Sequence, residues 1–337
     1  MKQIVLVLGA SGFIGSRVVK ALAASDWAVP ISASRRALPP VSADQPRGVR
    51  LDANDARQVR SAMDGVTSVV NCVLGNSATI RTSARVLFEV SRSMPQQPRI
   101  VHLSSIEVYG AAVGDVDETA TPVGELSTYG SAKLESERLA AANPSIVILR
   151  PGIVYGPNGA HWSARIAQML YARRLGDLGE AGDGYCNLVY IDDMVEAILR
   201  ALRSPNVGGK ILNLALPDPP TWNEYLADYA KALGAVPLAR IGERTLQIES
   251  KIFAPPQKLA EILLGKFAPR LARLMPQAIP PSMIRLFRQE IKLNVGLAEV
   301  NLGLRWTPLE EGLRQTAAWY NRSRRLPNSG ANSRLSE

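Results

Sequence analysis

IVLVLGASGFIG, residues 4–15, decides the fold. Its first half is an unbroken run of β-branched residues and leucine, the pattern of a strand covered on both faces in a parallel sheet. Its second half, GASGFIG, places Gly9, Gly12 and Gly15 between that strand and a helical stretch, SRVVKALAAS (16–25). The spacing has a mechanism. Gly9 permits a tight turn, Gly12 lets the backbone approach a pyrophosphate, and Gly15 lets helix and strand come close. The helix start, reached through Ser11, Phe13 and Ile14, then offers unpaired N–H groups to the phosphates. A dinucleotide site is expected here.

Outward from that loop, strand-like and helix-like segments alternate. WAVPISAS (27–34), VRLDAND, SVVNCVL and RIVHLSS read as strands, separated by helical patterns at DARQVRSAM and from Ile80 to about Ser93. A helix around 129–142 leads into SIVILRPGIVYG (145–156). This repetition predicts an α/β fold, a doubly wound parallel-sheet Rossmann domain with right-handed crossovers. Residues 1–155 form it in this reading, and 185–216 return to it. Residues 156–325 make a smaller, interleaved C-terminal substrate lobe, with helices at 161–174, 193–203 and 221–234 and a strand at 211–216. The polar tail 326–337 is expected to be disordered.

The end of the second strand selects the cofactor. NAD-selective domains place an acidic residue there against the ribose 2′-hydroxyl, but this chain has SASRR (32–36). Arg35 and Arg36 suit a 2′-phosphate, so NADP is expected ahead of NAD; the alternative is a solvated loop. Asp52, ending the third strand, is either an acceptor for the adenine amino group or a turn residue.

HLSSIEVYG (102–110) ends an apolar strand, and YGSAK (129–133) follows with Tyr129 and Lys133 four apart. On a helix that spacing puts both on one face. A lysine ammonium beside a phenol favours the phenolate, so Tyr129 would exchange a proton with a substrate oxygen near neutral pH. Ser105 would polarise the same oxygen, and Lys133 would also hold the nicotinamide ribose.

With GASGFIG, SSIEVYG (104–110), YGSAK, LRPGIVYGP (149–157), LVYIDDMVEAI (188–198) and LRWTPLEEGLRQTAAWY (304–320) in hand, the chain resembles the extended short-chain dehydrogenase/reductase family, also called the NAD-dependent epimerase/dehydratase family. The resemblance runs over almost the whole sequence. It implies Ser105, Tyr129 and Lys133 as a catalytic triad, with Ser104 a neighbour. Family members that dehydrate or decarboxylate nucleotide sugars carry a glutamate in the place of Glu107, which would remove or relay a proton; the alternative is a loop-facing carboxylate. Ile106 stands where sugar 4,6-dehydratases often have Asp. Pro151, Gly152 and Ile153 stand where nucleotide-sugar members often have Asn. A nucleotide-linked sugar or a related hydroxy/keto substrate is therefore expected. A ketone reductase or hydroxysteroid-type dehydrogenase stays in play, and behind it a non-catalytic dinucleotide sensor. The resemblance also implies a homodimer through the helices near 80–93 and 129–142.

Composition narrows the remaining classes. The chain has 337 residues, 46% hydrophobic and 20% charged, with two histidines and two cysteines. That is an ordinary globular composition, and too few soft ligands remain to expect a metal site. Cys72 and Cys186 read as free core thiols, which suits a reducing cytoplasm. No apolar run is long enough for a membrane span. Of the net charge of +9, residues 244–295 carry nine Lys/Arg against three Glu. No nucleic-acid signature accompanies this basic amphipathic insert, so nucleic acid is not an expected partner. The segment is a lid over a diphosphate, a face packed on the lobe with its charges in water, or, through 251–293, a peripheral membrane contact.

Overall fold

The computed structural model of the chain describes residues 2–36, 48–141, 143–248 and 279–325. In chain order the first elements are β1 (Gln3–Leu8), α1 (Phe13–Ala23), β2 (Ala28–Ser34), β3 (Gly48–Arg50), α2 (Ala56–Ala62), β4 (Ser68–Asn71), α3 (Ser77–Arg92) and β5 (Arg99–Leu103). A short 3₁₀ turn, Ile106–Tyr109, leads to β6 (Gly114–Val116), α4 (Thr128–Ala140), β7 (Ile146–Pro151) and β8 (Ile153–Tyr155). Then come α5 (Arg165–Tyr171), β9 (Leu188–Tyr190), α6 (Ile191–Arg203), β10 (Ile211–Leu214) and α7 (Trp222–Leu233).

Seven strands form one parallel sheet in the order β10-β7-β5-β4-β1-β2-β3. The chain leaves β1 for β2 on one side and later returns to β4 on the other, so the strand order reverses at β1/β4, beside the glycine loop. The two faces of the sheet are separate cores. Val5 and Val7 face α1, α6 and the helix Gly296–Leu302. Leu6 and Leu8 face α2 and α3. The alternation follows from the pleat, and both faces are apolar because both are covered.

Local chemistry sets the helix starts. Asp55, Asn76 and Ser127 cap α2, α3 and α4 with side-chain oxygens, and Thr221 begins α7 in a full capping box with Glu224. α1 differs: it starts at Gly12 with no side-chain cap and no acidic residue in its first turn.

The chain forms two compact units. The first takes Met1–Val154, Val189–Pro217 and Leu293–Thr307. The sequence reading places 293–307 in the C-terminal lobe, but Ala298, Leu302 and Leu304 join the sheet-face core instead. The second unit takes Tyr155–Leu188, Asp218–Lys292 and the chain from Pro308. Its centre is aromatic: Trp222 packs edge-on to Phe287 and Tyr225, and tilted against Trp162. The expected helix at 161–174 is shorter and begins with a π-helical turn, Ala160–Ala164. Within the basic insert, Phe287 and Ile291 are fully buried, whereas 249–278 lie outside the described residues, as does the tail 326–337. Among the described residues, no helix is long and apolar enough to cross a membrane.

Candidate active site

The glycine loop is shaped as its spacing demands. Gly9 has φ +78°, and a Cβ there would come 2.6 Å from the Cys72 carbonyl oxygen. A Cβ on Gly15 would collide with the Gly9 carbonyl oxygen, so only glycine lets α1 sit this close to β1. Gly12 N–H donates to Gly9 O at 3.0 Å, closing the turn. The start of α1 carries no side-chain cap, so no capping side chain takes up its first N–H groups, beside Ser11, Phe13 and Ile14. These residues fit a pyrophosphate.

At the far edge of the sheet, Arg35 and Arg36 leave β2 exposed. Arg50, ending β3, is exposed beside them, and its Nε donates to Arg35 O at 3.2 Å. The sequence reading missed Arg50, because only the register pairing Ser34 with Arg50 brings it there. Asp52 spends one carboxylate oxygen on the Asn54 N–H at 3.0 Å, a turn contact, and remains partly exposed.

Ser105, Tyr129 and Lys133 come together where β5 ends. Ser105 caps the 3₁₀ turn, accepting from Glu107 N–H at 3.2 Å. Lys133 is buried, its Nζ donating to Leu103 O at 2.6 Å and lying 5.8 Å from the centre of the Tyr129 ring. Burial pushes the Tyr129 phenol up to about 12, opposed by a hydrogen bond from Ser105 and reinforced by the Glu107 charge. Burial also brings Lys133 down to about 8, with Cys72 and Glu137 opposing. The lysine lies close to the phenol, as expected. In the chain alone, however, desolvation outweighs any pull toward the phenolate.

The profile of the NAD dependent epimerase/dehydratase family matches residues 5–215. The chain belongs to this family. Protein YeeZ of Escherichia coli K12 is 35% identical over 142 residues, 42% of this chain and 48% of YeeZ, so the match spans about half the length of that relative. The 2′-dehydrokanamycin reductase of Streptomyces kanamyceticus is 29% identical, over 68% of this chain and 66% of the reductase. Among solved structures, the UDP-glucuronic acid 4-epimerase of Bacillus cereus, in complex with UDP-glucuronic acid and NAD, superposes with a TM-score of 0.71 at 19% identity, covering 95% of this chain and 100% of the epimerase.

Within this epimerase/dehydratase chain, Glu107 is exposed and its carboxylate accepts from the Ser127 hydroxyl. Ser127 in turn caps α4, accepting from Gly130 N–H at 2.9 Å. A Cβ on Gly130 would lie 2.5 Å from Glu107 O, so the glycine after Tyr129 lets the 3₁₀ turn and α4 touch. Two buried polar groups behind the site escaped the sequence reading. One is the bidentate pair of Arg150 with Glu137, at 3.0 and 2.6 Å, whose guanidinium also donates to Tyr109 OH at 2.8 Å. Tyr109 donates onward to Asn213 Oδ1 at 2.7 Å. The available signal was Glu137, one turn beyond Lys133 on the same face. The other group runs through Asn71, His102 and Ser136.

Proposed function

We propose that the chain is an NAD(P)-dependent epimerase/dehydratase-type enzyme acting on a nucleotide-linked sugar or a related hydroxy/keto substrate. The observation that carries the reading is the meeting of Ser105, Tyr129 and Lys133 at the end of β5, on the unit that holds the glycine loop. When bound, the nicotinamide supplies the hydride acceptor or donor. Tyr129 exchanges the proton at the substrate oxygen, Ser105 hydrogen-bonds and orients that oxygen, and Lys133 holds the nicotinamide ribose and supplies positive charge beside the phenol. Glu107 is a candidate for a second proton transfer. Gly9, Ser11, Gly12, Phe13, Ile14 and Gly15 carry the pyrophosphate, with Asp52 toward the adenine. The named ligands of the Bacillus epimerase support a nucleotide sugar.

A net NADPH-dependent reductase is the second reading, and two observations favour it. Burial pushes the Tyr129 phenol up to about 12 in the chain alone, which favours the protonated form that delivers a proton to a carbonyl. Arg35, Arg36 and Arg50 stand exposed together at the ends of β2 and β3, a cluster of positive charge that suits a 2′-phosphate and supports NADP although the Bacillus epimerase is named with NAD. One relative is itself named a reductase. Replacing both Arg35 and Arg36 by alanine is expected to weaken NADPH by about tenfold or more and leave NADH nearly unchanged, read by fluorescence titration. Equal losses for both would remove the 2′-phosphate assignment.

The deciding experiment denatures the purified protein and identifies any released dinucleotide and its redox state. Near-stoichiometric oxidised cofactor supports an internal redox cycle; an empty protein that binds NADPH reversibly supports the reductase. In either case Tyr129→Phe is expected to cut turnover by about two to four orders of magnitude with cofactor affinity kept. Full turnover in that variant would sink the mechanism. We further place the enzyme in the cytoplasm, on its two free thiols, as a homodimer through α3 and α4.

A further inference from the structure

A closed chain of buried hydrogen bonds runs behind the lysine. Asn71 at the end of β4, His102 in β5 and Ser136 in α4 are each at most 3% exposed. Asn71 Oδ1 accepts from Val73 N–H at 3.1 Å, which fixes its amide and makes Nδ2 the donor to His102 Nδ1, also at 3.1 Å. His102 Nδ1 is therefore an acceptor, and the ring proton sits on Nε2. Nε2–H then donates to Ser136 Oγ at 3.0 Å, and the Ser136 hydroxyl donates to the Lys133 carbonyl at 2.7 Å. Every polar atom along the path has a partner. Phe88 closes the remaining side, edge-on to the imidazole with ring centres 5.3 Å apart.

Both ends of this chain reach residues assigned above to the cofactor. Val73 N would lie 3.1 Å from a Cβ on Gly9, so the Asn71 end stands directly behind the glycine loop. At the other end Lys133 is tied twice to neighbouring residues of β5: its Nζ to Leu103 O, and its carbonyl through Ser136 to His102. We propose that His102 is a positioning residue, which as the neutral Nε2–H imidazole fixes α4 against β4 and β5 and so sets where the Lys133 ammonium meets the nicotinamide ribose. This rests on the role of Lys133 proposed above. An apolar residue would fill the space between α3 and α4 but would leave Asn71 Nδ2 and the Ser136 hydroxyl without their middle partner, at the cost of unmet buried groups. The groups facing the imidazole fit its neutrality. The Lys133 ammonium on α4 acts on the ring, and burial with that charge pushes His102 down to about 3, while the Cys72 thiol acts on Lys133.

The chain has two histidines, so the test can be made on the full protein labelled with [15N]histidine, using His161→Gln for assignment. Long-range 1H–15N correlation from pH 8 to pH 4 is expected to show His102 as one neutral form, protonated on Nε2 throughout. A proton on Nδ1, or titration near the usual histidine value, overturns the proposal. The positioning role is read by titrating NADPH and NADH into variants. His102→Phe and Ser136→Ala are each expected to weaken the better-bound dinucleotide about fivefold, and the double variant to lose no more than either single one. His102→Gln, whose amide N–H reaches the place of Nε2–H, is expected to recover most of the loss. A Gln variant as weak as Phe, losses that add, or unchanged affinity in His102→Phe each overturn it. Lys133→Ala separates the two readings: wild-type affinity there refutes the lysine's cofactor role, while the His102 spectrum stands on its own.

Discussion

His102 makes a prediction about stability as well as position. Its folded value is pushed down to about 3, first by burial and then by the Lys133 charge, whereas an unfolded histidine titrates near 6.5. Above that pH both states are neutral and the residue adds no pH dependence. Below it the unfolded chain takes up a proton that the folded protein refuses, so stability falls by about 1.4 kcal/mol per pH unit until the pH approaches 3. Urea midpoints between pH 7 and pH 4 should therefore drop faster in the wild type than in His102→Gln. Parallel curves would mean that the imidazole is protonated in the fold. Tyr129 shows the opposite limit of what a residue reveals in isolation. Its spacing from Lys133 was legible in YGSAK, but its burial was not, and burial is what holds the phenol up to about 12.

Among the elements, α4 matters most, since one face of it carries Tyr129, Lys133 and Glu137. The Glu137–Arg150 pair fixes the turn beyond the lysine, with both side chains at most 6% exposed. Removing one partner strands the other charge in the interior, so Glu137→Ala should cost about 3–5 kcal/mol by urea denaturation. A loss below about 1 kcal/mol, typical of an exposed pair, would show that water reaches Arg150. The outer faces of α3 and α4 are charged instead. Arg85, Glu89, Arg92 and Arg138 are exposed, and Arg81 pairs with Glu135. A dimer through these faces would join them by reciprocal ion pairs across a two-fold axis, so sedimentation should show it dissociating as salt rises. Salt-insensitive association would point to another surface. The element pattern was largely readable: β1 with its glycine loop, α3, α4 and α7 lie within a few residues of their expected bounds, because long apolar periods and capping residues mark them. β6 and the helix Gly296–Leu302 were missed, being three and seven residues long with too little pattern to register.

At the scale of the whole molecule, the sheet depends on distant chain. The face under α1 is completed by Val189, Met194, Ile198 and Leu202 from the second segment and by Ala298 and Leu302 from the third. A fragment ending at Val154 would expose Val147 and Leu149 on that face and leave β7 without its neighbour β10. Such a fragment is expected to lack a cooperative thermal transition, checked by circular dichroism, while the full chain shows one. A sharp transition in the fragment would show that the first six strands suffice. Sequence alone located the return of β10 but not that of 293–307, because a short helix joining a remote core carries no local mark of its destination. The same interleaving bears on how the protein is made. On the ribosome β7 emerges about 60 residues before β10, an interval of several seconds at roughly 5–20 residues per second. Throughout that time the nascent sheet presents an open, β-branched edge, the kind of surface that holdase chaperones cover and that pairs with other chains if left bare.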